Sequence, residues 1–428
     1  MLSRTPKFVG NGALRVVLAV SALAILGIAM VLGSFTPASS VTTSDQKSSV
    51  SASSNLVPPQ CSAPCLVWKD AGGSNPETVA ISPDDSYVAV GNGSGVYVFD
   101  AQGSLRWGHN LNHTISSLSI SANGELIAAG GWQIEGGCPP SQNITGFRSC
   151  PAAVYANGEV YLFDSANGNL AWSKSTGSEN PVWKVILSAD GSKLVADTEN
   201  SIMFVDANQG NTIWSYSTGG NVVGLGMSPD GSLVVASMGQ IVAFNDQGSI
   251  LWSHPAIDLA VSANSVAVSP DGSDVWVGSA VSGYNGSLYL FNNQGTLLWQ
   301  RQIYSPVLSI QTGGNATAFV STNWGALLYG ADGSLLQNVT GSAPAIHSDC
   351  NYLPAFWYWG GNQAPVTFFD SQGKAISSYS PQGFTVNTAL SADGHYAAIV
   401  SQQGLGAGSS YSLAFVYLGE PGQSCIHD

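Results

Sequence analysis

Residues 228–252 read SPDGSLVVASMGQIVAFNDQGSILW, and this one stretch contains the features that decide the fold. It begins with a tight turn, Ser228-Pro229-Asp230-Gly231, in which proline presets φ, aspartate bonds back to the backbone and glycine accepts a positive φ. A β-rich run at 233–236 follows, then a third strand, a second turn and a fourth strand that ends at Trp252. Short strands joined by tight turns, with no long helical pattern after residue 35, indicate an all-β protein.

This unit recurs along the chain at a spacing close to 40 residues, except across the second unit, which an insertion lengthens. Eight copies of the turn occur, two of them degenerate, and they begin at Ser82, Ser121, Ser188, Ser228, Ser269, Thr312, Ser348 and Ser391. The pattern G-x-x-x-W closes the fourth strand at Trp107, Trp172, Trp214, Trp252 and Trp299, with Gln337 and Ser377 at the degenerate positions. Four short strands in a unit of this length are typical of one β-propeller blade.

The last unit predicts how the ring closes. It contains three strands, around 384–390, 396–401 and 413–418, and no fourth strand follows. A strand without a unit, Leu66-Val67-Trp68, precedes the first turn and contains the missing tryptophan. We therefore predict that this N-terminal strand completes the last blade, because closure removes the exposed edges of the sheets. The prediction is an eight-bladed propeller, rather than a seven-bladed one, over residues 61–428.

The repeat resembles that of the quinoprotein-like (PQQ-like) propeller family, whose blades contain the pattern D-x-x-x-G-x-x-x-W. The matching segments are FDSANGNLAW at 163–172 and FVDANQGNTIW at 204–214, and the SPDG turns are similar to those of WD-repeat propellers. The resemblance covers roughly residues 64 to 420 and implies the fold; it does not imply one function, because propellers serve as enzymes, scaffolds and lectins. Quinone dehydrogenases of this fold generally bind calcium and pyrroloquinoline quinone, and many have adjacent cysteines. No adjacent pair is present here, so we expect no cofactor.

The N-terminal segment predicts export to the outside of the cytoplasm. Arg4, Lys7 and Arg15 precede an uncharged apolar run, and basic residues before such a run keep the N-terminus inside. We predict a cytoplasmic segment at 1–15, a transmembrane signal anchor at 16–33 and a Ser/Thr-rich linker at 34–60. The alternative is a signal peptide cleaved near Gly33, which would give a secreted protein.

The charge balance excludes one class of partner. The chain has 12 Lys and Arg against 26 Asp and Glu, a formal net charge of −14, and only 9% charged residues. A surface this poor in cations offers no attraction to a phosphate backbone, so nucleic acid is not an expected partner. So few ionisable groups would also titrate little on acidification.

Six cysteines suit an oxidising compartment. Cys138 and Cys150 bracket part of the insertion in the second unit, and we expect a local disulfide there. Cys425 could pair with Cys61 or Cys65 where the two ends of the propeller meet, and Cys350 lies near a turn on the same predicted face; sequence does not choose among these pairings. No metal site is predicted, because none of the six histidines shows a ligand spacing.

The candidate binding surface is the face formed by the loops that join strand two to strand three and strand four to the next blade. Aromatic residues fall on or near these loops at Trp132, Tyr284, Trp324 and Trp359, and such side chains can stack on a sugar or anchor a protein partner. The alternative for Trp359 is a place in the core between blades. The tryptophans of the G-x-x-x-W strands recur too regularly for a site, so we predict that they pack between blades.

N-x-S/T sequons occur at six positions, about as many as chance predicts, and five map to the same loop face. These five glycosylation candidates are Asn92, Asn112, Asn143, Asn285 and Asn338; the sixth sequon is at Asn315. Glycans on this face would favour a recessed small-ligand site over a broad, flat protein interface.

The sequence thus predicts a membrane-tethered binding module outside the cytoplasm, with a protein, peptide or glycan as its ligand at the loop face. One alternative is a propeller enzyme, a quinone-dependent dehydrogenase, a hydrolase or a lyase, with its site at the mouth of the central channel. Another is a structural part of the cell envelope that associates with itself. The sequence does not identify the ligand.

Overall fold

The computed structural model describes twelve segments of the chain, and the statements below concern these segments only. They are residues 65–70, 76–135, 154–220, 222–255, 266–279, 286–313, 317–322, 325–340, 353–356, 366–369, 375–403 and 410–418. All regular structure within them is β-strand. The strands pair into eight antiparallel sheets of a propeller, numbered here in chain order.

The first four sheets have four strands each. Sheet 1 consists of β2 (Pro76–Ile81), β3 (Tyr87–Asn92), β4 (Gly95–Asp100) and β5 (Leu105–Asn110). Sheet 2 consists of β6 (Thr114–Ile120), β7 (Leu126–Glu135), β8 (Val154–Asp164) and β9 (Leu170–Gly177). Sheet 3 consists of β10 (Val182–Leu187), β11 (Lys193–Thr198), β12 (Ser201–Asp206) and β13 (Asn211–Ser217). Sheet 4 consists of β14 (Gly224–Met227), β15 (Leu233–Ser237), β16 (Gln240–Asn245) and β17 (Ile250–Pro255).

The remaining sheets continue the series, and the last one includes the first strand of the chain. Sheet 5 consists of β18 (Val266–Val268), β19 (Asp274–Gly278), β20 (Gly286–Asn292) and β21 (Leu297–Ile303). Sheet 6 consists of β22 (Val307–Gly313), β23 (Thr317–Thr322), β24 (Gly325–Tyr329) and β25 (Leu335–Thr340). Sheet 7 consists of β26 (Leu353–Phe356), β27 (Val366–Phe369) and β28 (Ala375–Tyr379). Sheet 8 consists of β29 (Phe384–Leu390), β30 (Tyr396–Gln403), β31 (Ser410–Tyr417) and β1 (Cys65–Asp70).

Within each complete sheet the first strand is innermost and the fourth is outermost. First strands of successive sheets contact one another, as β2 contacts both β6 and β29, and β18 contacts both β14 and β22. Second strands such as β3 and β15 are buried along their whole length, whereas the fourth strands β5 and β17 alternate between exposed and half-buried residues. The core therefore lies between the sheets, where Phe204 of sheet 3 packs with Phe244 of sheet 4.

The predicted closure of the ring is confirmed. Strand β1 pairs antiparallel with β31, and Leu66 lies opposite Val416 while Trp68 lies opposite Phe415. The Trp68 ring stacks on Phe415, with ring centroids 5.5 Å apart. The first strand of the propeller thus occupies the outermost position of sheet 8, and the edge of β31 is covered.

The prediction of an all-β propeller is confirmed, but the described residues show seven complete four-stranded blades and not the eight predicted. Sheet 7 shows three strands in the described residues, and it packs on sheet 8 through Val366 and Phe368 against Leu390 and Ala397. The first strand of this unit, expected before the turn that begins at Ser348, lies outside the described residues. The predicted transmembrane segment at 16–33 and the linker at 34–60 also lie outside them. No helix suited to crossing a bilayer is present in the part of the chain that the structure describes.

The tryptophans of the outermost strands join neighbouring sheets, as predicted. Six indole Nε1–H groups donate to a backbone carbonyl of the next sheet at 2.6–3.2 Å: Trp68 to Ala101, Trp107 to Ser165, Trp172 to Ala207, Trp214 to Asp246, Trp252 to Asn293 and Trp299 to Ala331. Each ring also lies against a glycine of the next sheet. At Gly210 the φ is +71° and a Cβ would lie 2.9 Å from the Trp172 ring, so only glycine fits both requirements.

Candidate binding groove on the turn face

The turns of each sheet lie together at one end of the propeller. A residue of the second turn, between strands three and four, donates its N–H to the first turn, between strands one and two: Ser165 bonds to Glu125 and Ala207 to Ser192, both at 2.9 Å. We call this end the turn face. The opposite end, formed by the connections from strand two to three and from strand four to the next sheet, is the loop face.

The predicted binding residues of the loop face are largely untested. Tyr284, Trp324 and Trp359 lie outside the described residues. Trp132 is described and is only 8% exposed, with its ring 6.1 Å from that of Trp183 on the neighbouring sheet. A ring buried between two sheets cannot stack on a sugar, so the structure argues against Trp132 as a binding residue.

The sequons divide in a similar way. Asn92 is 6% exposed, and its Oδ1 accepts hydrogen bonds from the backbone N–H groups of Ser94 and Gly95, so in the folded protein it is not an accessible glycan acceptor. This corrects the prediction for Asn92. Asn112 and Asn338 are exposed. Asn143 and Asn285 lie outside the described residues, and so do the side chains of all six cysteines, Cys61, Cys65, Cys138, Cys150, Cys350 and Cys425.

The first turns have the geometry that their sequence predicts. In sheet 3, Ser188 Oγ accepts from the backbone N–H of Lys193 at 3.0 Å and donates to Asp190 Oδ1 at 2.6 Å. Asp190 Oδ1 also accepts from the backbone N–H of Ser192, and these hydrogen bonds lower the pKa of Asp190 to about 2. The aspartates of these turns are therefore turn formers, as predicted.

Backbone hydrogen bonds join the first turns of sheets 2, 3 and 4. The N–H of Ala122 donates to the carbonyl of Ala189 at 2.8 Å, and the N–H of Ala189 donates to the carbonyl of Pro229 at 2.6 Å. Pro229 has no N–H, so the series cannot continue to the turn of sheet 5, which contains Pro270. The turn face is therefore open between sheets 4 and 5.

A groove of about 680 Å³ lies at this interruption. Its walls include Pro229 and Pro270 from the two first turns, and Leu251 from the outermost strand of sheet 4. The Trp252 indole bridges the two sheets beside it, with Nε1–H donating to Asn293 at 3.0 Å. Leu251 is 51% exposed, so the groove presents an apolar surface to solvent together with the polar side chains of its rim.

The rim of the groove is acidic. Hydrogen bonds from Ser228 and Ser269 lower the pKa values of Asp230 and Asp271, so both carboxylates are charged at neutral pH. None of the residues that line the groove is Lys or Arg. The groove therefore combines apolar walls with two carboxylates, of which Asp230 lies beside Lys193 and Asp271 does not.

A second group of chemically unusual residues lies where the ring closes. The first turn of sheet 1 places Asp85 beside Asp393 and His395 of the first turn of sheet 8. Burial and then the charge of Asp393 raise the pKa of Asp85 to about 9. Burial alone would raise the pKa of Asp393, but hydrogen bonds from His395 and Ser391 lower it to about 2. No sequence pattern connects these residues, which lie at opposite ends of the propeller sequence.

The innermost strands carry few ionisable groups in the described segments. Lys184 Nζ donates to the carbonyl of Leu225 in the next sheet at 2.9 Å, and its backbone N–H donates to Asp197 Oδ1 at 2.6 Å. Burial lowers the pKa of Lys184 against the opposing charge of Asp197, and burial raises the pKa of Asp197 to about 7. This pair joins sheets within the wall, so it supplies no evident channel-mouth catalytic group.

Glu77 on β2 should make stability depend on pH. Desolvation raises its pKa from 4.5 to about 7, so the folded protein holds the proton more tightly than the unfolded chain. The resulting stability is complete below pH 4.5 and is lost as pH rises through 7. The free energy of unfolding of the wild type should therefore fall between about pH 5 and about pH 8. We expect this fall to be smaller in E77Q by roughly 2 kcal/mol, measured by urea titration at each pH. The exposed-site variant E125Q is the control, and an E77Q decline equal to that of the wild type would contradict the assignment.

Comparison with known proteins places part of the chain in a repeat family. The family model described as outer membrane protein assembly factor BamB matches residues 156–328, which include the groove. The chain therefore contains PQQ-like propeller repeats, as the sequence resemblance implied. No curated protein matches the chain by sequence.

Solved structures support the fold. BamB from Moraxella catarrhalis superimposes with a TM-score of 0.54 at 16% identity, covering 82% of this chain and 100% of that chain. The C-terminal WD40 domain of Sif2 gives a TM-score of 0.59 at 14% identity, covering 83% and 98%. The β-propeller domain of Cps50 (Swd1) from Myceliophteria thermophila gives 0.51 at 12%, covering 83% and 100%. At these identities the similarity establishes a shared fold.

Proposed function

We propose that this protein is a protein-binding propeller of the cell envelope and that it binds a segment of its partner in the groove between sheets 4 and 5. The observation that carries the proposal is the groove itself, an open volume of about 680 Å³ with exposed apolar walls on the turn face. Exposed apolar surface rimmed by polar groups is characteristic of interaction sites.

The chemistry of the groove defines the partner segment. Leu251 and the two prolines favour apolar side chains, whereas Asp230 and Asp271 favour Lys or Arg. The net charge of −14 would attract the same kind of partner from a distance. We therefore infer an extended peptide segment that contains both apolar and basic residues.

Placement in the envelope is supported by the N-terminal pattern and by the family match. The proposed anchor at 16–33 would hold the propeller outside the cytoplasm at the membrane. The matched family is described as an outer membrane protein assembly factor. We also propose that sheet 7 is the eighth blade of a closed ring, which its packing on sheet 8 supports. Binding at the loop face through Tyr284, Trp324 and Trp359 stays a separate prediction.

A photocrosslinking amino acid at position 251, in cells of the native host, tests the proposal. We expect a discrete adduct with an envelope protein from position 251 and none from position 213. Ile213 is the matched control, because it also directly precedes an outer-strand tryptophan and is 45% exposed. Adducts of equal strength at both positions would contradict a site between sheets 4 and 5.

The partner identified in this way is then used in a binding assay with purified proteins. We expect L251R to weaken binding at least tenfold, because arginine repels a basic segment and covers the apolar wall. I213R should change it less than about twofold. Arginine is tolerated at this position of a sheet, since Arg106 occupies it in sheet 1. Equal affinity of L251R and I213R would overturn the proposal.

A further inference from the structure

We propose that Asp85, Asp393 and His395 form a divalent transition-metal site that links the first sheet to the last. One carboxylate oxygen of each aspartate and one ring nitrogen of His395 all lie within 4.8 Å of one another. The three residues come from the two sheets between which the ring closes. A bound ion would therefore join the two ends of the propeller independently of the β1–β31 pairing.

The turn geometry explains why Asp85 points at sheet 8. The other well-preserved turns have glycine at this position, and in sheets 3, 4 and 5 a Cβ there would lie near the first serine of the preceding turn. A Cβ on Gly231 would lie 3.4 Å from Ser188 Cβ, and one on Gly272 would lie 3.6 Å from Ser228 Cβ. The Asp85 side chain likewise extends towards Ser391 and Asp393 of sheet 8.

A second observation points to a ligand at this position. Asp85 is 5% exposed, and its buried Oδ1 has no hydrogen-bond partner. A carboxyl group buried beside a second carboxylate needs either a proton or a cation to offset its charge, and a metal ion at this position would displace the proton from Asp85. Asp393 and His395 stay accessible, with side chains 40% and 25% exposed, so an ion can enter from solvent.

The donor set selects the type of metal. Two carboxylates with one imidazole suit Zn²⁺ or a similar transition metal, because Mg²⁺ and Ca²⁺ prefer oxygen ligands alone. Two ligand atoms that are each about 2.1 Å from a shared metal ion are at most about 4.2 Å apart. The observed separation therefore needs only small side-chain rotations, and water would complete the coordination.

The test measures Zn²⁺ binding to the full chain, without an affinity tag and after chelator treatment, by isothermal titration calorimetry. The variants are D85G and H395S, which restore the residues that sheet 3 has at Gly191 and Ser192 and should therefore fold. We expect one Zn²⁺ bound by the wild type through this site, and at least tenfold weaker binding in each variant. The control D190N, in the turn of sheet 3, should bind like the wild type.

Two further readouts separate this site from the cysteines and from a folding defect. Zn²⁺ should raise the thermal unfolding midpoint of the wild type but not that of D85G. Co²⁺ at the site should give a visible spectrum without thiolate charge-transfer bands. The proposal is overturned if the wild type binds no Zn²⁺, or if D85G and H395S bind it as tightly as the wild type does.

Discussion

Replacing Trp214 with alanine is expected to lower the free energy of unfolding by about 3 kcal/mol. The ring stacks on Phe204 and Phe244, with centroids 5.2 and 5.4 Å away, and Nε1–H donates to the Asp246 carbonyl at 3.2 Å. Alanine would open a cavity between sheets 3 and 4 and would leave that interface without its connecting side chain. Urea-induced unfolding followed by intrinsic fluorescence measures the loss.

The control is Trp214→Phe, which keeps an aromatic ring between the two phenylalanines but has no N–H. It should cost about 1 kcal/mol, the usual value of one hydrogen bond. This difference between the variants would show that packing between blades contributes more than the repeated hydrogen bond. A cost below about 1 kcal/mol for Trp214→Ala would contradict the role assigned to these tryptophans.

Deleting residues 65–70 is expected to destabilise the protein by at least about 5 kcal/mol and to make it aggregate. The deletion removes β1, its pairing with β31 and the Trp68 ring that stacks on Phe415. It also removes the hydrogen bond from Trp68 Nε1 to Ala101, which joins sheet 8 to sheet 1. The edge of β31 would then be free to pair with another molecule. Thermal unfolding and light scattering of the full chain measure both effects.

Leu66→Ser in the same strand is the control for this deletion. Leu66 is 46% exposed, so its replacement should change the unfolding free energy by less than about 1 kcal/mol. A deletion variant that stayed monomeric, with the unfolding midpoint of Leu66→Ser, would show that the β1–β31 pairing is dispensable.

Much of the architecture was predictable because each turn and strand is determined by nearby residues. Gly231 has a φ of +66° in the turn where SPDG predicted a positive φ, and β15 begins two residues later, at Leu233. The closure was predictable for a different reason. Leu66–Trp68 was the one strand without a unit, and sheet 8 was the one unit without a fourth strand, so counting paired them across the whole chain.

The binding surface was predicted less well than the fold. Trp132 falls on a loop by sequence, but β7 extends through it to Glu135, and the ring is buried against Trp183. Asn92 has a sequon, but its amide oxygen is used by the turn that follows β3. In both cases a pattern over a few residues does not reveal which side of the strand faces the next sheet, and burial depends on that.

The sequence by itself determined the local chemistry: the turns, the repeated short strands and the order of the units. Each of these depends on backbone preferences over a few residues, so neighbours along the chain suffice. Tertiary structure alone decided what lies across the boundaries between sheets. Pro229 is one turn residue among many until it lies near the turn of Pro270, where both prolines line a groove. Asp85 and His395 are departures from the turn pattern more than three hundred residues apart, and only closure of the ring brings their side chains to one point.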